Sequence, residues 1–184
     1  MFKSKNKLNI KEIYQSIIDN SRSKIFYIDL DVDDSFESRF DLVILHSFII
    51  FQYFIEIGDK QNELSQNLFD YMFQDFENNL REMGFGDIAV NKRMKKFISA
   101  FYGRILKYSN SYKEYKENNS LINFSLAIKK NLYKNKKISD EKLNLLANYF
   151  FSNISFFLDN SYDKNINTLF QFKKITEVKI ELQY

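Results

Sequence analysis

The stretch LFDYMFQDFENNLREMGFGDIAVNKRMKKFISAFYGR, Leu68 to Arg104, decides the fold. Apolar side chains recur every three to four positions on both sides of Gly84-Phe85-Gly86-Asp87, the spacing of a stripe along a helix rather than a strand. Gly84 supplies a left-handed cap for the first helix, and Asp87 caps the second. The block reads as two aromatic-rich amphipathic helices around a Gly-x-Gly-Asp turn made by Gly84, Gly86 and Asp87. It holds no nucleophile–base pair, no metal-ligating cluster and no phosphate loop.

The same periodicity runs outward in both directions. Ile10, Ile13, Tyr14, Ile17 and Ile18 predict a helix over 8–20. Residues 24–34 read as a short helical turn leading into a loop. A long helix follows over 36–57, capped by Ser35 or Asp34 and ended by Gly58. The next helices cover 61–83 and 87–112. Leu121, Phe124, Ile128 and Leu132 mark a fifth. Ser139 caps a sixth, striped by Leu143, Leu146, Phe150, Ile154 and Phe157. The expected fold class is all-α, a single-domain bundle of about six helices with an antiparallel hairpin of 36–57 and 61–83 at its centre. The expected organisation is a disordered basic arm at 1–7, the helical domain at 8–160, and a tail at 161–184, extended or docked. In that tail Val178, Ile180, Leu182 and Tyr184 alternate with other residues like an edge strand.

Composition narrows the function classes. The chain has 184 residues, 45% of them hydrophobic, with 20 Phe and 12 Tyr to fill a core. It has no Cys and one His, which excludes disulfides, thiolate metal sites and multi-histidine centres. A net charge of +3, from 27 basic and 24 acidic residues, lacks the basic excess of a DNA binder. No cofactor is expected. The N-terminal lysines are not followed by the apolar run of a signal peptide. The longest apolar stretch, 42–55, falls short of the roughly 20 residues that span a bilayer and reads as a buried core helix.

Polar residues on apolar faces are the candidates for a role. On helix 36–57, Arg39 and His46 lie seven apart among apolar neighbours, with Asp41, Gln52 and Glu56 toward solvent. On helix 61–83, Asp75 and Glu82 repeat the spacing with opposite charge. Antiparallel packing pairs Arg39 with Glu82 and His46 with Asp75, a structural polar ladder that sets the hairpin register. The same His–Asp pair, set in a pocket, has the chemistry of a general base, and His46 that of a haem ligand. On helix 87–112, Lys92, Arg93, Lys96, Tyr102, Gly103, Arg104 and Lys107 form a candidate partner-binding face. There Gly103 admits a close backbone, and the basic side chains meet an acidic or carbonyl-rich surface.

Four segments together, RFDLVILH (39–46), LFDYMFQDFENNLREMGFGD (68–87), KRMKKFISAFYGR (92–104) and LAIKKNLY (126–133), resemble the ubiquinol–cytochrome c chaperone family. The resemblance spans 13–133. It implies an all-helical, non-enzymatic assembly chaperone of ubiquinol–cytochrome c reductase whose partner is newly made, haem-poor cytochrome b. The positions carried over are Arg39, His46, Asp75, Arg81, Glu82, Gly84, Asp87, Lys92, Arg93, Tyr102 and Arg104. It also implies a cytoplasmic site of action, peripheral to the inner membrane, or the matrix side in an organelle. The bacterial length argues against ribosome contact. Two alternatives stay open: a helical enzyme or haem-handling protein built on His46 and Asp75, and an adaptor that binds through its C-terminal tail.

Overall fold

The computed structural model describes residues 9–58, 62–134, 136–160 and 170–178. Seven α-helices succeed one another there: α1 (Ile10–Ser21), α2 (Lys24–Ile28), α3 (Phe36–Glu56), α4 (Asn62–Glu82), α5 (Asp87–Asn118), α6 (Ile122–Asn131) and α7 (Asp140–Asn160). A 3-10 turn at Ile175–Glu177 follows, and no strand occurs among the described residues. The all-α expectation holds, with the five-residue α2 in place of the expected helical turn.

Local chemistry sets the helix ends. The Ser35 side chain accepts from the backbone N–H of Ser38 at 3.2 Å, starting α3. At the end of α4 the N–H of Phe85 reaches the carbonyl of Leu80, and that of Gly84 reaches Arg81. This double closure needs a left-handed residue between helix and turn, and Gly84 supplies it with φ +85°. Gly86, not Asp87, is the N-cap of α5, and it caps with no side chain. Asp87 is the first helical residue, where its charge suits the positive helix end and pairs with Arg81.

Helix α3 is the axis of the bundle. Every residue from Phe40 to Phe54 is buried. α7, α1, α5 and α4 pack around it, and α6 joins α5 to α7. By length and composition α3 could cross a membrane, yet 83% of its apolar window is buried inside the bundle. It is the core helix its sequence predicts. The helix with no solvent stripe overturns one expectation: Asp41 and Gln52 are interior, at 1% and 5% exposure.

Aromatic rings fill the space between helices. Phe48 meets Tyr108 and Phe124, and Phe124 continues to Phe150 and Phe151. Each such buried ring contributes roughly 1.5–3 kcal/mol of transfer free energy. Helix α5 runs on to Asn118, past the expected end at 112. Its apolar stripe fades there, and the Lys116–Glu56 ion pair at 2.8 Å ties the polar extension to α3. Of the tail, residues 170–178 lie against the bundle: Phe170 and Ile175 are buried, and Asn153 accepts from the backbone N–H of Lys173 at 2.7 Å. The basic arm (1–7) and the strand-like residues 180, 182 and 184 lie outside the described residues.

Candidate functional site

The polar ladder does not form. α3 and α4 do run antiparallel, but Phe40 meets Phe76 and Ser47 meets Met72 across the seam. α1 packs against both helices and takes the face the ladder would need. Arg39 is exposed and turns back to Asp34 in a two-pronged contact of 2.6 and 2.9 Å. Glu82 is exposed at the end of α4. Asp75 accepts from the Tyr14 hydroxyl of α1 at 2.7 Å and from Asn79 at 3.0 Å.

His46 faces the opposite side, toward α7. Its Nδ1–H donates to the Leu42 carbonyl at 2.8 Å, so Nε2 is the nitrogen that accepts from the Tyr149 hydroxyl at 3.1 Å. The rings of Phe26, Tyr149, Phe150 and Phe172 close around it edge-on. Burial pushes its pKa down to about 4, against a smaller opposing pull from the Leu42 carbonyl. A neutral imidazole with both nitrogens occupied and no exposure meets neither a substrate nor a haem iron. His46 is fully buried and does not line the cleft described below.

The true buried ion pair went unpredicted. Arg104 of α5 places Nη2 at 2.8 Å from Asp41 Oδ1 on α3. The contact is charge-to-charge rather than an aligned hydrogen bond. Asp41 is raised to about 6, first by loss of solvent; Arg104 and then Lys134 pull the other way. Arg104, expected on the partner face, therefore acts inside the fold.

Among the described residues two surfaces stand out for a partner. The first is a cleft of about 720 Å³ between α1, α2, the start of α3 and the second half of α4. Ile18, Phe40, Val43 and Phe76 contribute its apolar lining, and Ile28, Phe36 and Met83 stand exposed along it at 71%, 40% and 59%. Arg22, Lys24, the Arg39–Asp34 pair and Asp75 supply charge around them. Arg39 and Asp75, expected in the ladder, thus line this cleft; His46 and Glu82 do not. Sequence reading missed the cleft because six of its sixteen lining residues come from α1 and α2, whose stripes look like ordinary core faces. The exposed Ile28 was the available signal.

The second surface is the outer face of α5. Lys92, Arg93, Lys96, Tyr102, Gly103 and Lys107 are all exposed there. Arg93 lies over the Phe85 ring at 4.2 Å. A side chain added at Gly103 would meet nothing within 4 Å. Among the described residues no group of three His, Cys, Asp or Glu side chains is placed to hold a metal.

The profile of the ubiquinol-cytochrome C chaperone family matches residues 29–172. The match continues well past 133, where the resemblance was expected to end, and takes in α7 and Phe172. Among solved structures the chain is similar to the crystal structure of the Cbp3 homolog from Brucella abortus. The TM-score is 0.73, with 24% sequence identity over 92% of this chain and 91% of that one. At that identity the likeness speaks for the fold. No curated protein sequence matches the chain significantly.

Proposed function

The chain belongs to the ubiquinol-cytochrome C chaperone family, and on that premise we propose that it is a non-enzymatic assembly chaperone for ubiquinol–cytochrome c reductase. Its client in this reading is newly made, haem-poor cytochrome b, met at the cytoplasmic face of the inner membrane. The observation that carries the client-holding role is the cleft, with Ile28, Phe36 and Met83 exposed beside charged residues. Apolar side chains left in water around a concavity mark a binding groove. An apolar helix laid in that groove covers them, while Arg22, Arg39 and Asp75 meet polar groups at its edges. The client is assigned to the cleft rather than to α5 because the lysines of α5 would lose solvation against an apolar client.

The test is Ile28→Glu/Met83→Glu, which alters exposed residues and should shift stability by less than about 0.5 kcal/mol. A deletion strain carrying this variant should accumulate less assembled reductase than one carrying the wild type, at equal chaperone level. Normal assembly with the doubly charged cleft would overturn the reading.

A further inference from the structure

We propose that the outer face of α5 is a docking surface for an anionic lipid bilayer. From Ile88 to Lys113 the chain carries seven basic side chains (Lys92, Arg93, Lys95, Lys96, Arg104, Lys107 and Lys113) and no acidic one, although the whole chain holds 27 basic against 24 acidic residues. Arg104 is tied to Asp41, and Arg93 lies over Phe85. The five lysines that remain are exposed, and none forms an ion pair with another described residue.

Their arrangement carries the assignment. Ile88, Lys92, Lys95, Tyr102, Leu106 and Lys113 share one line along the helix, in steps compatible with a 3.6-residue turn. Ile88, Tyr102 and Leu106 are 88%, 56% and 64% exposed. Three apolar and three cationic side chains thus share that line on a helix of 32 residues, about 48 Å in length. A bilayer offers negative charge along the whole of such a line and an apolar layer just beneath it for Ile88, Tyr102 and Leu106. An acidic protein would have to match five separated ammonium groups spread over about 32 Å of helix. Beside that line, among Lys92, Lys96 and Lys107, the space over Gly103 is open. This surface is separate from the cleft, and the inference stands whether or not the client reading does.

The full chain is floated with vesicles of phosphatidylcholine alone and with vesicles in which about a third of the lipid is phosphatidylglycerol. Binding to the anionic vesicles should exceed binding to the neutral ones by at least about tenfold and weaken with added salt. Lys92→Glu/Lys95→Glu/Lys107→Glu, all at exposed positions, should lose about tenfold or more of that binding with an unchanged circular dichroism melt. The corresponding triple Arg variant should keep it. Tyr102→Ser/Leu106→Ser should bind less at every salt concentration. Equal binding to both vesicle types, absence of binding to either, or wild-type binding by the triple Glu variant would each overturn the proposal. Capture of an acidic protein without vesicle binding would do the same.

Discussion

Replacing Arg104 by Met removes the cation that keeps Asp41 charged inside the bundle. The Asp41 carboxylate has 2% of its side chain exposed and the Arg104 side chain 21%, so the acid is the member left stranded. Stranded acids do not pay the full cost of burial; they take up a proton. That sets the magnitude. Asp41 titrates at about 6 with Arg104 beside it. Protonating it at pH ~7.5 therefore costs about 1.5 pH units at about 1.4 kcal/mol each, or about 2 kcal/mol. At pH ~5.5 the acid is already largely protonated, and the same substitution should cost under about 0.5 kcal/mol beyond lost packing of the Arg stem. Urea denaturation followed by circular dichroism at the two pH values reads this difference directly. Asp41→Leu/Arg104→Met should recover most of the loss at the higher pH, because no charge is left to bury. An equal penalty for Arg104→Met at both pH values would refute a buried, proton-accepting Asp41. So would failure of the double variant to recover.

Three further outcomes follow from particular contacts. His46 has a folded pKa of about 4 against an ordinary 6.5, so its contribution is present above pH 6.5 and lost as pH falls toward 4, about 3 kcal/mol in all. Asp41, raised from 3.8 to about 6, acts in reverse: its contribution is present below 3.8 and lost as pH rises through 6. The two oppose each other in the wild type, so the urea midpoint of Asp41→Leu/Arg104→Met should fall more steeply on acidification; parallel curves would contradict that. Gly103→Ala fills open space on an exposed helix and should raise stability by about 0.5–1 kcal/mol, measured by thermal melting; a loss would mean that the helix is crowded there. Tyr14→Phe deletes the hydroxyl that donates to Asp75 across α1 and α4 and should cost about 1–2 kcal/mol in urea denaturation; a neutral effect would mean that water replaces the bond.

How far the sequence could be read depended on whether a residue's partner was local. Helix ends were legible because Ser35 caps the first turn next to it with its own side chain, while Gly58 and Gly84 act through their own backbone. The exposed side of α5 was legible because a long run of lysines without acids cannot be buried. The ladder failed for the opposite reason. A helical wheel shows which residues share a face, but not which neighbour covers it. α3 is enclosed on every side, so its polar residues each found a separate partner: Arg104 for Asp41, Tyr149 for His46, Met72 for Ser47 and Glu56 for Gln52. Of these pairings only Ser47–Met72 lies on the α3–α4 seam. The cleft was illegible because α1 and α2 help to build it from far away in the chain, as Tyr14 reaching Asp75 shows.

The most direct measurement is capture of the tagged protein from its native membranes after mild crosslinking, probed for cytochrome b. Recovery of haem-poor cytochrome b by the wild type, lost with Ile28→Glu/Met83→Glu, is the predicted result. Recovery of no reductase subunit, together with normal reductase in a strain lacking the protein, would contradict the assignment of this chain to cytochrome b assembly.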